Sequence, residues 1–298
     1  MQTDDLDENS YLEILQNISR TLGCRREEIR DFRPGPSGMM NRSYCFRVGE
    51  GEYLYRRPGP GTNALVNRAH EKQSLRLAGE LGLDPTCLYM DGRQGWKISR
   101  YVPEFREPDY GSGEDSRRIL AVLRRLHAAP FRPDYGLRPW EDALALETQI
   151  RREDPEAFLH FEDLKARLAP LAVRAAADGV EPCFCHGDCY KPNWLLLPDG
   201  GTILIDWEYA GTSDPGVDLG YYLIDGEMDM PAAERFIREY LGEGFTEALL
   251  CHYLTMAALT GYYWCLWALL RRVRGIDNGD APSRWERMTR TYAELLTR

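Results

Sequence analysis

Residues 183–210 read CFCHGDCYKPNWLLLPDGGTILIDWEYA, and the parsing of this stretch decides the fold. Two apolar runs, 194–197 and 202–207, flank Pro198-Asp199-Gly200-Gly201. Strand-forming residues on either side of such a turn predict a β-hairpin, with the polar loop 186–193 at its open end. A hairpin returns the chain beside itself. Asn193 at its start and Asp206 at its end are therefore expected to meet, although thirteen residues separate them.

The chain differs in character on the two sides of this hairpin. Upstream, residues 11–23 carry Leu12, Ile14, Leu15, Ile18 and Leu22 near helical spacing, with Gly23 as a stop. Segments 43–48 and 52–57, joined by Gly49-Glu50-Gly51, predict a second hairpin. Pro58-Gly59-Pro60-Gly61 breaks the chain, 67–81 reads as a helix, and the turn Asp91-Gly92-Arg93 leads into a strand over 95–102. Beyond Pro103 the pattern is helical, at 116–129, 156–178 and 231–241. The expected fold class is α+β and bilobal. A small antiparallel-sheet lobe, residues 1–102, precedes a larger, mainly helical lobe, residues 103–298. Ligands commonly bind between such lobes.

Composition narrows the function classes. The 298 residues are 43% hydrophobic and 11% aromatic, which excludes intrinsic disorder. Acidic residues (47) outnumber Lys and Arg (37), giving a net charge of −10 with no dominant basic cluster. A nucleic-acid partner is therefore not expected, and a cationic small molecule suits the charge better. The N-terminal MQTDDLDENS is acidic and polar, unlike a secretory signal. The 8 cysteines show no framework spacing, so reduced thiols in a cytoplasmic protein are expected. Cys183, Cys185, His186 and Cys189 invite a zinc reading, but no second Cys/His pair closes the site, and ordinary buried thiols are expected. The uncharged run 254–270 contains Thr255, Thr260 and Gly261 and lacks a long aliphatic centre. A buried helix is expected there, without membrane insertion.

The chemistry concentrates in His186-Gly187-Asp188-x4-Asn193 and in Ile203-Leu204-Ile205-Asp206. Phosphoryl transfer needs a carboxylate to hold the acceptor hydroxyl and take its proton, and oxygen ligands to fix Mg²⁺ against the nucleotide phosphates. Asp188 on a constrained loop suits the first task, and Asn193 with Asp206 suits the second. Singly, each residue is as well explained as a turn cap or a strand end. Their combination on one hairpin points to one site.

HGDxxxxN followed by IDWEYAG resembles the aminoglycoside phosphotransferase and choline kinase superfamily of protein-kinase-like small-molecule kinases, along roughly 35–270. The resemblance implies ATP and Mg²⁺ as cofactors. It makes Asp188 the catalytic base and Asn193 and Asp206 the magnesium ligands, with His186 a structural hydrogen-bonding residue. The small-residue stretch 35–41 falls where the family has its loop over the nucleotide phosphates, which singles out Ser37, Gly38 and Asn41. Arg56 takes the place of the phosphate-binding cation, usually Lys, with Arg57 on the opposite strand face. Glu71 is its natural partner; a solvated helix carboxylate is the alternative. Residues 99–103, with Tyr101, correspond to the hinge beside the adenine.

The acceptor is suggested by Trp264-x-x-Trp267, whose indoles share one helix face at i, i+3. Aromatic walls hold quaternary ammonium groups, which cannot donate hydrogen bonds. The alternative is that both are core residues. Choline kinases carry a similar W-x-x-W helix and follow the second Asp with F-E-Y, where this chain has Trp207-Glu208-Tyr209. The segment Asp218-Leu219-Gly220-Tyr221-Tyr222 continues the likeness, as do Gly38-Met39-Met40-Asn41 and Asn67-Arg68-x-x-Glu71, which resemble bacterial choline kinases. By this resemblance Glu208, Tyr209, Asp225, Trp264 and Trp267 line the acceptor pocket, and the reaction phosphorylates choline or a related amino alcohol. The departures are Trp207 in place of Phe, and Cys189 and Tyr190 at variable loop positions. Rival readings are an aminoglycoside or thiamine phosphotransferase and a catalytically silent pseudokinase that binds a quaternary ammonium ligand.

Overall fold

The computed structural model describes residues 6–36, 41–59, 62 and 66–297. The chain divides into two compact units, one ending at Phe105 and the other beginning at Arg106.

The first unit is a five-stranded antiparallel sheet with helices. Helix α1 (Glu8–Leu22) starts where the Asp7 side chain accepts the Ser10 N–H, and it stops at Gly23 in the left-handed region, φ 67°. Strands β1 (Ile29–Pro34), β2 (Asn41–Val48), β3 (Gly51–Pro58), β4 (Cys87–Met90) and β5 (Lys97–Arg100) lie in the order β1-β2-β3-β5-β4. The β2–β3 hairpin closes tightly, with Val48 opposite Gly51 and Gly49 at φ 58°. One sheet face buries Phe32, Tyr44, Phe46, Tyr55, Trp96 and Ile98 against Ile14 and Ile18 of α1. Helix α2 (Arg68–Glu80) is capped by the Asn67 side chain, which accepts the Ala69 and His70 N–H groups. Strand alternation puts Tyr55 and Arg57 on the α1 side and turns Arg56 away from it. Tyr55 accepts a hydrogen bond from Asn17 of α1 at 3.1 Å.

Strands β1 and β4 escape the sequence pattern because both are edge strands. In β1 only Phe32 is buried, and a register shift at Arg30–Arg33, with Asp31 at φ 53°, interrupts the alternation.

The second unit contains α3 (Gly113–His127), α4 (Pro139–Glu153), α5 (Glu162–Ala177), β6 (Cys183–Cys185), β7 (Trp194–Leu196), β8 (Thr202–Leu204), β9 (Gly211–Ser213), α6 (Gly216–Asp225), α7 (Met230–Leu241), α8 (Glu247–Val273) and α9 (Ala281–Leu296). Strands β7 and β8 form the expected hairpin, Trp194 opposite Leu204, while β6 pairs with β9. Neither α4 nor α9 is foreseen in the sequence reading. Both pack on α8, as does α6, which explains why α8 is buried almost all round. Gly220 allows the α6–α8 crossing: a Cβ there would stand 2.6 Å from the Ala257 Cα. A fully buried side chain such as Leu266 stabilises this core by about 1.5–3 kcal/mol. Among the described residues, no helix is long and apolar enough to cross a membrane.

Candidate active site

The loop between β6 and β7 is fixed by its backbone. Gly187 sits at φ 82°, and a Cβ there would come within 2.5 Å of the Tyr209 carbonyl oxygen, so glycine is required. The His186 ring is fully buried and bridges the loop to the far end of the hairpin. Its Nε2 donates to the Ile205 carbonyl at 3.0 Å, and its Nδ1 accepts the Asp188 N–H at 3.2 Å. Burial lowers the His186 pKa and keeps the ring neutral, which suits a structural bridge and not a proton carrier.

Of the three residues expected to meet, Asp188 and Asn193 are joined directly, and Asp206 lies near enough for its charge to act on Asp188. Asn193 Nδ2 donates to the Asp188 carbonyl at 2.9 Å and to Asp188 Oδ2 at 3.0 Å. Ile205 N–H donates to the Asn193 carbonyl at 2.9 Å, and the chain then turns sharply at Asp206, φ 68°. Burial, then the charges of Asp206 and Glu208, raise the Asp188 pKa well above the carboxylate range, against the Asn193 hydrogen bond. Carboxylates crowded so that one is forced towards its neutral form call for a cation. An oxygen-only donor set of Asp206, Asn193 and their carboxylate neighbours fits a hard divalent ion such as Mg²⁺.

Asp218, on the first turn of α6, anchors the loop from behind, a role the sequence reading misses. Its Oδ1 accepts the Gly187 N–H at 2.7 Å; its Oδ2 accepts the His186 N–H at 2.8 Å and lies 3.0 Å from His127 Nε2. Burial opposes its charge, but the His127 hydrogen bond, electrostatic attraction to the His127 and His186 rings and the His186 N–H outweigh it. The Asp218 pKa is held below the usual range.

A set of aromatic rings lies beside this loop. Trp264 stacks on Tyr221 (centroids 4.8 Å, 18°) and meets Tyr209 and Trp267 edge to face at 5.0 and 5.4 Å. Trp285 meets Tyr221 and Tyr190 edge to face at 5.6 and 5.9 Å. Trp264 is buried within this cluster of rings, 2% exposed, as the core alternative has it. Its Nε1 and the Tyr221 hydroxyl are buried donors with no hydrogen-bond partner among the described residues. Trp267 is engaged differently: its Nε1 donates to Tyr209 Oη at 2.9 Å, and the Arg271 guanidinium lies over its ring at 4.7 Å.

Asp225 is spent on the wall itself. Oδ1 accepts Trp285 Nε1 at 3.0 Å, and Oδ2 accepts the Lys191 N–H at 3.1 Å and the Tyr110 hydroxyl. Glu208 is buried. Trp285 and Tyr190 are the wall residues the sequence reading overlooks. Trp285, Met288, Thr289 and Tyr292 are all buried at i, i+3, i+4, i+7 spacing on α9, a periodicity that could have found the first.

In the first unit, Glu71 is buried and pairs with Arg56, and it also pairs with Arg68 at 2.7 Å. A solvated carboxylate is therefore excluded. Arg56 also donates to the Gly95 carbonyl at 3.3 Å. Arg57 lines a cavity on the other sheet face with Glu13 and Trp96. Asn41 is buried at the start of β2, and the Tyr101 N–H donates to the Glu52 carbonyl at 2.9 Å. Ser37 and Gly38 lie outside the described residues.

The phosphotransferase enzyme family matches residues 31–253. The choline kinase LicA of Streptococcus pneumoniae has a solved structure similar to this chain, with 26% sequence identity and a TM-score of 0.81, covering 96% of this chain and all of the other (100%). Protein LicA of Haemophilus influenzae is 21% identical over 258 residues, 81% of this chain and 94% of that protein. A choline/ethanolamine kinase family protein of Mesorhizobium loti shares the fold at 20% identity, TM-score 0.71, covering 89% of this chain and 87% of that one. Spanning both the sheet unit and the HGDxxxxN hairpin, the match makes this chain a member of the phosphotransferase enzyme family.

Proposed function

We propose that the chain transfers the γ-phosphoryl group of ATP to the hydroxyl of choline or a closely related amino alcohol, giving phosphocholine and ADP. The observation that carries this reading is the Asp188–Asn193–Asp206 convergence beside an aromatic wall backed by buried carboxylates. Its similarity to the pneumococcal choline kinase supports the same acceptor.

Asp188 orients the acceptor hydroxyl and takes its proton as the oxygen attacks. Burial and the charges of Asp206 and Glu208 raise its pKa, and a bound cation would offset the part due to those charges, favouring the carboxylate form as a base. Asn193 and Asp206 would hold Mg²⁺, which when bound neutralises charge on the nucleotide phosphates. By the family resemblance, Arg56, paired with Glu71, would bind the nucleotide phosphates, and Ser37, Gly38, Asn41 and Tyr101 would also contact the nucleotide. Trp264 and Tyr209 form the face that receives the ammonium group; Trp267 supports Tyr209. Glu208 and Asp225 contribute negative potential from behind the rings. An aminoglycoside needs several carboxylates free to meet its ammonium groups, and Asp225 has already committed both oxygens. The chain's eight cysteines are all free thiols, which supports a reducing, cytoplasmic setting for the enzyme.

Turnover with Mg²⁺–ATP should be compared for choline, ethanolamine, thiamine and a kanamycin-type aminoglycoside. The amino alcohols should lead. Asp188→Asn should lower kcat about 10²–10⁴-fold without changing the circular dichroism spectrum. Preference for the aminoglycoside would overturn the acceptor, and full activity of Asp188→Asn would overturn the mechanism. Absence of ATP turnover with every acceptor would favour the pseudokinase.

A further inference from the structure

Cys183 and Cys185 are two residues apart on β6, so both thiols leave the strand on the same face, with their sulfurs 3.5 Å apart. A ring nitrogen of His127, from α3, completes a compact group. The three potential ligand atoms lie within 4.8 Å of one another, and all three residues are buried. Two thiolates on one tetrahedral zinc ion, each about 2.3 Å from the metal, stand about 3.8 Å from each other. The sulfurs here need to move only a few tenths of an ångström to match that spacing. The neighbours that the sequence offers, His186 and Cys189, take no part, since His186 spends both ring nitrogens on the Ile205 carbonyl and the Asp188 N–H.

The surroundings of His127 also suit a metal. Its Nε2 faces the Asp218 carboxylate at 3.0 Å, while its Nδ1 is 2.7 Å from the Tyr240 hydroxyl. A metal-bound histidine normally donates its second N–H to a carboxylate, which fixes ring and tautomer. Coordination through Nδ1 would exchange only the bond to a neutral phenol and would keep the Asp218 contact.

We propose that Cys183, Cys185 and His127 form a binding site for a thiophilic divalent cation of the zinc type, separate in chemistry from the oxygen-ligand site at Asn193 and Asp206. Binding forms two metal–sulfur bonds and one metal–nitrogen bond and releases one proton from each thiol to solvent. No electron is transferred. The Tyr240 hydroxyl is the neighbouring oxygen for the fourth position. Cys185 immediately precedes His186, and Asp218 holds the His186 and Gly187 amides. The bound ion therefore ties α3 and β6 together directly behind the loop that carries Asp188.

The test uses the reduced full-length protein with excess Mg²⁺, titrated with Cd²⁺ and separately with Co²⁺. A thiolate-to-cadmium charge-transfer band should saturate at one equivalent with two protons released per ion, and Tm should rise with metal concentration. Co²⁺ should give the intense visible bands of a tetrahedral site with sulfur ligands. Cys183→Ala and Cys185→Ala should each lose the one-equivalent phase. Cys251→Ala, a half-buried thiol outside the group, should keep it. A charge-transfer band that survives both β6 substitutions, or a weak octahedral cobalt spectrum in the unaltered protein, would overturn the proposal. Neither readout depends on phosphoryl transfer, so failure of the kinase reading and failure of this one are told apart.

Discussion

Replacing Asp218 by asparagine removes the negative strut behind the Asp188 loop at nearly constant volume. The carboxylate accepts from three directions: Gly187 N–H at 2.7 Å, His186 N–H at 2.8 Å and the His127 ring at 3.0 Å. Asparagine has a single acceptor oxygen. One donor then faces an NH₂ group and loses its bond, and the remaining bonds fall from charge-assisted to neutral. With about 1.5–3 kcal/mol for a hydrogen bond to a charged group and about 0.5–1.5 kcal/mol for a neutral one, the loss comes to about 3–5 kcal/mol. The same range describes the opening of a buried charged network. Native stabilities of about 5–15 kcal/mol leave the variant folded at low temperature, with a lowered urea midpoint. A loop released by about 1 Å should lose about 10²-fold in kcat. KM for ATP should change less than kcat, because Arg56 and Glu71 belong to the other unit. Urea unfolding followed by tryptophan fluorescence and steady-state turnover of the same preparation measure both quantities. A lowered midpoint with undiminished kcat would refute the positioning role. An unchanged midpoint would refute the energetics.

Two further outcomes follow from the same geometry. The His252 ring nitrogens lie 2.9 Å from Asp178 and from Asp214; burial opposes the charged form, but the hydrogen bonds and charges of these carboxylates outweigh it and raise the pKa. A raised folded-state pKa contributes stability that is fully present below the unfolded value of about 6.5 and is lost as pH rises through the higher folded value. The stability of the native protein should therefore decline relative to His252→Gln from pH about 6.5 upward, and parallel urea-midpoint profiles for the two proteins would contradict this. Trp264→Leu keeps apolar bulk but removes a cation–π contact of about 0.5–2 kcal/mol, so KM for choline should rise about 2- to 30-fold. Ethanolamine, whose ammonium can donate hydrogen bonds, should be affected less, and equal effects on both acceptors would argue against an ammonium seat on this ring.

Local signals carried much of the site. The hairpin turn, the loop before it and the polar residues at its two ends are encoded within 183–210, and the structure joins Asp188, Asn193 and the residue before Asp206 by direct hydrogen bonds. The strand alternation that separates Arg56 from Arg57 is equally local, because backbone geometry alone sends successive side chains to opposite faces. The residues that hold these groups in place were not legible. Asp218 reads as an ordinary acidic residue in a helical first turn until α6 brings it under two loop amides. Trp285 and Tyr190 are aromatic letters with no functional mark until α9 and the loop close around Tyr221.

The amino-acid order by itself determined the hairpin, the polar residues at its two ends and the family likeness, since each depends on neighbours within a few residues or on one turn. Tertiary packing decided which acids have their pKa pushed up and which down, which ring is covered by Arg271, and that His127 stands beside two thiols from a distant strand. The physical reason is that pKa values, ring contacts and metal-ligand groups depend on burial and on through-space distance. Helices α3, α6, α8 and α9 set those quantities by where they pack, and their apolar periodicity says only that they are buried.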